Sequence, residues 1–201
     1  MLTLIIGPFI VLLLFGIGYN AKPQQITTVL VMPTDINYST NVADYKGQFN
    51  PPFQLVGVTH DRDKAVKQLK DGDIDAVLIF PAHAYQTITS GHQATMELLY
   101  NELAPIQRTW LQYYGYVQTS QFNRQVLTRV LKQSEISAKK GSSPDGVTAA
   151  LIAAAGSIPT DVLVSPFKPA AMNLAPTTPN FVAYYAPAVL ALLVQHIAVT
   201  L

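Results

Sequence analysis

The sequence predicts a mixed α/β domain flanked by two transmembrane helices. All 13 Lys and Arg and all 12 Asp and Glu lie between Lys22 and Lys168, so formal charge is confined to the middle of the 201-residue chain. Both ends are apolar, and the middle alternates short β-branched runs with segments of helical periodicity. We therefore predict a transmembrane helix at residues 1–20, an α/β domain at residues 21–182 and a second transmembrane helix at residues 183–201.

The first apolar run, residues 2–19, is long enough to cross a bilayer. A hydrocarbon core about 30 Å thick needs about 20 helical residues, and about 17 is the lower limit. A cleaved signal peptide is the alternative, but no Lys or Arg precedes the run and no A-x-A site follows within it. The pattern favours a helix that stays in the membrane.

The second apolar run carries three polar residues after Val189, namely Gln195, His196 and Thr200. It is short for a span, so we expect this helix to be truncated and the chain to be a fragment of a longer membrane protein. Gln195 and His196 are the candidate intramembrane polar site, because a titratable group inside a span marks a functional site by default. The alternative is that His196 faces a partner helix or a water-filled cavity.

Tyrosines mark the inner boundary of both apolar runs. Tyr19 ends the first run, and Tyr184 with Tyr185 precede most of the second. Tyrosine is enriched at the membrane–water interface, so these positions predict that both runs meet the same face of the bilayer. The domain between them is then expected to lie on one side of the membrane.

The clearest local signal in the domain is a strand–helix–strand unit. Thr59 or Asp61 is placed to cap the start of its helix, and Gly72 is placed to end it. Crossovers of this kind are right-handed in about 98% of cases, so the flanking strands are predicted to be parallel neighbours or near neighbours. The strands predicted in this part of the chain lie at residues 26–32, 54–59 and 76–80.

Downstream of this unit, helices and strands continue to alternate. From Pro105 to about Glu135 apolar residues fall three or four apart, which predicts a long amphipathic helix with a candidate break at Gly115. Its Trp110 and Tyr113 are predicted to be helix core rather than a ligand platform. The other predicted elements are a short helix and turn at 81–91, a strand at 95–100, a helix at 145–155, a short strand at 160–164 and an extended proline-rich return at 165–180.

Composition and motifs argue against an enzyme, a metal centre and a nucleic-acid partner. The net charge is +1 and the chain has no Cys, so thiolate metal sites are excluded. No phosphate-binding loop and no G-x-S-x-G elbow occurs, and the Asp71, Asp73 and Asp75 run lacks the glycine and the glutamate of a calcium loop. We therefore predict no catalytic residue, no cofactor and no metal ligand. The histidines that we interpret as surface residues are His60, His83 and His92.

Three segments stand in a particular order along the chain. They are GPFIVLLLFGIGY at residues 7–19, KAVKQLKDGDIDAVLIFP at residues 64–81 and VSPFKPAAMNLAPTTPNFVAYYAP at residues 164–187. Together they resemble the membrane subunit of an ABC-2 type transporter, a family in which a large extracytoplasmic domain lies between the first two spans. The resemblance implies a multi-pass protein of the cell membrane with residues 21–182 extracytoplasmic.

The resemblance also implies a function and partners. This chain is expected to be the permease subunit of an ATP-driven exporter, powered by a separate ATP-binding subunit and not an enzyme itself. A homo- or heterodimer of permeases embedded in membrane lipid is expected, with no nucleic acid. Since the family carries few chemical signature residues, no catalytic position is transferred to this sequence.

Two other functions stay open on the sequence alone. A membrane-anchored sensor or binding module predicts a ligand pocket at the carboxyl ends of the strands that finish at Thr59 and Phe80, where parallel sheets hold ligands. A flat, filled crevice at that place would count against this function. A membrane protein similar to phage-infection or secretion-accessory proteins shares the same layout of two spans around one domain.

Overall fold

The computed structural model describes residues 25–35, 39–45, 47–140 and 156–200. The predicted span at residues 1–20 and the predicted helix at residues 145–155 lie outside the described residues. The strands are β1 Ile26–Val31, β2 Phe53–Thr59, β3 Ala76–Ile79, β4 Ala94–Tyr100 and β5 Phe167–Asn173. The helices are α1 Arg62–Asp71, α2 Ala84–Thr89, α3 Pro105–Lys140, α4 Thr160–Val164 and α5 Phe181–Thr200, and Val42–Tyr45 forms a 3-10 turn.

The strands of the described residues form a mixed sheet in the order β2-β1-β3-β4-β5. β1 is parallel to both β2 and β3, β3 is antiparallel to β4, and β4 is parallel to β5. β2 and β3 are the two strands joined through α1, and they run parallel with β1 between them. The predicted near-neighbour pair and the predicted mixed α/β fold are therefore confirmed.

Local sequence signals explain why α1 begins and ends where it does. The Asp61 side chain accepts a hydrogen bond from the backbone N–H of Lys64 at 2.9 Å, which satisfies one of the unpaired donors of the first turn. Gly72 ends the helix with a left-handed backbone, φ 81°, a conformation that glycine adopts without a side-chain penalty. Ala65 and Leu69 are buried against the sheet, as the predicted helical spacing requires.

The predicted break at Gly115 is wrong, because α3 runs without interruption from Pro105 to Lys140. Gly115 lies on the buried face of the helix, where a Cβ atom would stand 2.6 Å from Cδ2 of Leu98 on β4. The glycine therefore serves close packing of helix on sheet rather than a bend in the helix.

The strand predicted at residues 160–164 is also wrong, because these residues form helix α4. The strand lies one step further on, at β5, in the stretch predicted to be an extended return. In the sheet of the described residues β5 pairs with β4 alone and is an edge strand, so Pro169, which lacks an N–H, is tolerated in it. Local composition favoured a loop here, whereas pairing with β4 decides the structure.

Two hydrophobic clusters fill the two faces of the sheet. The larger cluster lies under α3, α2 and α4, and the smaller one lies under α1. Members of the larger cluster include Leu30, Leu78, Met96, Leu98, Tyr100, Leu111 and Phe122. Members of the smaller one are Val29, Val31, Ala65, Leu69, Ile74, Val77 and Leu99.

Helix α5 differs from every element of the domain in its burial. Among the described residues, it is the helix long and apolar enough to cross a membrane, over Phe181–Ala198, and none of that stretch is buried. Its 20 residues span about 30 Å at about 1.5 Å per residue, which matches the thickness of a hydrocarbon core.

Candidate functional site

The sheet has two chemically different ends, and strand register identifies them. Thr28 pairs with Ala76, Ala76 with Tyr100, and Tyr100 with Asn173, so these residues form one row across four strands. The row lies at the start of β1 and at the finish of β5. The chain therefore enters the described domain and leaves it towards α5 at the same end of the sheet, which we call the tether end.

The opposite end of the sheet, which we call the cleft end, carries a cleft of about 650 Å³. The carboxyl ends of β1, β2 and β3 and the start of β4 meet there, because β4 alone among these strands runs the other way. Apolar lining residues include Val31, Met32, Ile79 and Phe80. Polar lining residues include Asp35, His60, Arg62, His83, Gln93 and Glu97.

Asp35 and His83 join the loops that follow β1 and β3. The backbone N–H of His83 donates to Oδ2 of Asp35 at 2.6 Å, and the His83 Nδ1 atom lies 3.3 Å from the same oxygen. His83 has a left-handed backbone with φ 52°, which is uncommon for a residue with a Cβ. Backbone strain of this kind persists where surrounding contacts support it, and the hydrogen bond to Asp35 is such a contact at the rim of the cleft.

Arg62 and Glu97 form an ion pair across the mouth of the cleft. The Arg62 guanidinium donates to Oε2 of Glu97 at 3.4 Å, and both side chains remain substantially exposed to solvent. Exposed ion pairs contribute about 0–1 kcal/mol to stability, so the interaction between Arg62 and Glu97 is weak. The cleft therefore presents a carboxylate and a guanidinium that are free to change partners.

The histidines are exposed, as predicted, but two of the three belong to the cleft. Nδ1 of His60 lies 3.0 Å from the carbonyl oxygen of Met32, and His83 contacts Asp35. His92 lies elsewhere, with its Nδ1 atom 3.4 Å from Oγ of Ser90. Among the described residues no group of three or more His, Cys, Asp or Glu side chains is arranged to hold a metal ion.

Asp75, the last acid of the calcium-like run, has a structural role. Its Oδ2 atom accepts hydrogen bonds from the backbone N–H of Thr27 at 2.8 Å and from the Thr27 hydroxyl at 2.7 Å. These bonds fasten the start of β3 to the start of β1 at the tether end. The interpretation of the run as a helix end followed by a strand start fits this contact.

The prediction that Trp110 and Tyr113 are helix core is wrong. Trp110 is 53% exposed and Tyr113 is 55% exposed, and both lie on the side of α3 opposite the buried Leu111 and Gly115. Periodicity correctly indicated an amphipathic helix but not which of its apolar stripes faces the sheet.

The predicted polar site at Gln195 and His196 lies on α5, near its C-terminal end. Both side chains are exposed, and adjacent residues of a helix point about 100° apart. A role for these two residues in transport stays a prediction.

The residues of the cleft were missed by sequence reasoning, although its position was expected under the binding-module alternative. The available signal was the finish of three strands at one edge of the sheet. Asp35, Arg62 and Glu97 come from a loop, a helix start and a strand interior, so no linear pattern joins them.

The sequence pattern of the family described as "ABC-2 family transporter protein" matches residues 1–201. Among curated proteins, none matches this chain. A crystal structure of a domain assigned to an ABC type-2 transporter from Thermotoga maritima MSB8 is similar over 74% of this chain and 86% of that chain, with 13% sequence identity and a TM-score of 0.43.

Proposed function

The chain belongs to the ABC-2 transporter family, and from that membership we propose that it acts in the permease subunit of an ATP-driven exporter. The family assignment predicted from the sequence is confirmed. The family consists of membrane transport components, so the chain is a membrane subunit of an ABC transporter and not a member of an enzyme family. The proposal further specifies that transport is export, that two permeases form a dimer and that a separate ATP-binding subunit supplies the energy.

The proposed topology is a single extracytoplasmic domain attached to the membrane through both of its ends. The observation that carries it is the shared row of Thr28, Ala76, Tyr100 and Asn173, which brings the two connections to one end of the sheet. Two anchors on one face of a bilayer are joined by the shortest links when both connections leave one end of the sheet, and the extracytoplasmic side is what the family resemblance implies. The apolar α5 and the predicted span at residues 1–20 supply the two anchors.

The proposed mechanism is mechanical coupling between spans and domain. Closure of the ATP-binding subunits moves the spans relative to one another, and rigid-body rotation of domains is a common response to such movement. The strands that carry the two connections, β1 and β5, are separated by β3 and β4 in one hydrogen-bonded sheet. Movement of either anchor is therefore passed to the whole sheet.

A distance measurement tests this mechanism. One spin label at Gln86→Cys in the domain and one at Leu190→Cys in α5 report movement of the domain relative to its anchor, and the chain is reconstituted in lipid with its ATP-binding subunit. We expect the distance distribution of this pair to shift when ATP hydrolysis is trapped. The control pair, Lys70→Cys with Gln86→Cys, lies on the exposed sides of α1 and α2 and is expected to keep its distance, because a rigid domain rotates as one body. An unchanged distance between residues 86 and 190 would contradict the coupling.

The cleft supports a second candidate function, that of an extracytoplasmic binding module. Its volume of about 650 Å³ lies within the range of about 300–1,000 Å³ that is typical of small-molecule sites. An apolar floor with Arg62 and Glu97 at the mouth suits a small molecule that carries both an anionic and a cationic group. The position at the carboxyl ends of parallel strands is the usual one for ligands in α/β sheets.

Thermal unfolding in the presence of amino acids and dipeptides tests the second candidate. A ligand present at 100 times its Kd stabilises the folded state by about 2.7 kcal/mol. We expect Arg62→Ala and Glu97→Ala to remove the stabilisation and Lys70→Ala, away from the cleft, to keep it. The same stabilisation in Arg62→Ala as in the natural sequence would place the ligand elsewhere.

A further inference from the structure

The start of α3 carries an exposed aromatic face that the transport mechanism does not use. We define this aromatic face as Ile106, Trp110 and Tyr113, which are 45%, 53% and 55% exposed. Their spacing of four and three residues places them on one stripe of the helix. Leu103, in the loop before α3, and Tyr116, one turn further on, are also large, apolar and exposed.

Hydrogen bonds fix the start of α3 to the tether end of the sheet. The backbone N–H of Glu102 donates to Oδ1 of Asn173 at 3.1 Å, and Nδ2 of Asn173 donates to the Glu102 carbonyl at 2.7 Å. Asn173 is the last residue of β5, and only residues 174–180 separate it from α5. At about 3.3–3.6 Å per residue, this link limits the distance between Asn173 and the start of α5 to less than about 30 Å.

The first turns of α3 extend past the sheet on the tether side. Nε2 of Gln112 donates to the Tyr100 hydroxyl at 3.0 Å, so this point of the helix is level with the finish of β4. Further along, Thr119 Oγ1 contacts Met96 Sδ, so α3 runs from the tether end towards the cleft end. Pro105 precedes Gln112 by seven residues and therefore lies about 10 Å further along the helix axis on the tether side, at about 1.5 Å per residue.

The chemistry of the aromatic face matches the headgroup region of a bilayer. Trp and Tyr combine an apolar ring with a polar N–H or O–H, and both are enriched at membrane–water interfaces. Exposed apolar side chains of this size are otherwise scattered over the described domain, as at Val56 and Leu131. The exposed apolar side chains at the start of α3 lie close to the connection to α5. A partner that covers them must lie at this end of the domain, and the membrane that α5 would cross lies there.

We propose that the aromatic face of α3 lies in the headgroup region of the bilayer that α5 crosses, so that the tether end of the domain faces the membrane. This proposal rests on the proposed function, because it needs α5 to be a membrane span. It adds a lipid contact that orients the cleft away from the membrane. A second copy of the chain and bulk solvent are the competing occupants of the face.

The experiment uses Trp110 as its own reporter, since the chain contains a single tryptophan. The full chain is reconstituted in vesicles whose lipids carry bromine either close to the headgroup or near the end of the acyl chain. We expect Trp110 to lose more fluorescence with the headgroup-proximal bromine than with the deep bromine, and to be shielded from iodide in the water.

Two reporters in a Trp110→Phe background provide matched controls. Leu190→Trp lies in the middle of α5 and is expected to be quenched most by the deep bromine. His92→Trp lies in the exposed turn that precedes β4, at the cleft end, and is expected to respond to iodide but to neither brominated lipid.

The outcomes separate failure of this inference from failure of the proposed function. If Leu190→Trp is quenched by brominated lipid and Trp110 is not, the lipid contact is wrong while the span stands. Shielding of Trp110 from iodide in that case assigns the face to a second copy, and access of iodide assigns it to solvent. If Leu190→Trp is not quenched by either lipid, α5 is not in the bilayer and both proposals fall.

Discussion

The two long helices, α3 and α5, differ in what surrounds them. α3 has one face packed on the sheet, and it buries the polar side chains Gln118, Thr119 and Asn123 there. In α5, no residue of the apolar stretch Phe181–Ala198 is buried, although it is far more apolar than α3. A helix that is apolar on all sides is a membrane span or the core of a large protein, whereas a helix with polar groups buried on one side is fixed by its partners.

The buried polar residues of α3 show what packing on the sheet accomplishes. Nδ2 of Asn123 donates to the Phe167 carbonyl at 2.9 Å, and its Oδ1 accepts from the Phe167 N–H at 2.9 Å, so one side chain pairs with the backbone of β5. Gln118 donates to the carbonyl of Gln48 at 2.8 Å and accepts from the N–H of Asn50 at 3.3 Å. α3 therefore positions β5 and the loop before β2, whereas the stretch Phe181–Ala198 of α5 has no buried residue.

The sharpest test of this difference is Asn123→Ala. The substitution leaves the buried N–H of Phe167 without a partner and leaves its carbonyl only the hydroxyl of Ser165, at 3.4 Å. An unsatisfied buried group costs about 1–3 kcal/mol, so we expect the free energy of unfolding of the domain to fall by about 3 kcal/mol. Chemical denaturation measures this change, and Arg124→Ala, the exposed neighbour on the same helix, is the control with little effect. Equal stability of the two variants would mean that β5 is held by strand pairing alone.

A charge in the middle of α5 should weaken membrane insertion and leave the stability of the domain unchanged. Leu190→Arg is expected to cost about 3 kcal/mol for membrane insertion at the centre of a span. The free energy of unfolding of the domain should stay the same, because none of the stretch Phe181–Ala198 is buried. Because the predicted span at residues 1–20 would keep the chain in the membrane fraction, the first effect is measured by labelling Val194→Cys in the same helix with a membrane-impermeant maleimide, and the second by denaturation. Val56→Arg, on the exposed side of the edge strand β2, should change neither; loss of domain stability in Leu190→Arg would contradict the comparison.

Gly115→Ala tests how closely α3 approaches the sheet. The added Cβ atom would meet Cδ2 of Leu98 at 2.6 Å, and overpacking of a core costs about 1–3 kcal/mol. Alanine regains about 1 kcal/mol of helix propensity, so the net loss of stability should be about 1 kcal/mol. Gly156→Ala is the matched control, since no described atom lies within 4 Å of its added Cβ. A stabilised Gly115→Ala domain would show that α3 moves away from β4 without cost.

The smallest expected effect belongs to the exposed ion pair of Lys67 and Asp71 on α1. The side chain of Lys67 donates a hydrogen bond to Asp71, which raises the pKa of Lys67 above its usual value, with the charge of Asp71 as the second cause. A raised pKa in the folded state gives stability that is present below the unfolded pKa of lysine and is lost as pH rises through the folded pKa. Any difference in melting temperature between Lys67→Ala and the natural sequence should therefore be small at neutral pH and disappear in strong alkali. A difference that grows with alkali would contradict the assigned ion pair.

The sequence predicted the elements whose signals are local. β1, β2, α1 and β3 are marked by β-branched runs and by the caps Asp61 and Gly72, and all four form where expected. The elements that were wrong depend on distant partners. β5 exists because β4 and Asn123 pair with it, and neither can be read from the prolines around it.

The aromatic face was misassigned for a similar reason. α3 has apolar stripes on two opposite sides, and periodicity alone does not show which of the two packs on the sheet. Gly115 was the available signal, since a glycine in a helix interior indicates close approach to a neighbour as well as a break. The cleft was expected at the strand ends, but its polar lining depends on how separate loops meet.

The most direct test of the account is cysteine labelling, because the chain has no cysteine of its own. Lys168→Cys lies on the exposed side of β5, and Leu190→Cys lies in the middle of α5. We predict that a membrane-impermeant maleimide added to intact cells labels Lys168→Cys at once and labels Leu190→Cys only after detergent is added. Labelling of Leu190→Cys in intact cells as fast as Lys168→Cys would contradict the account, since α5 would then lie in water.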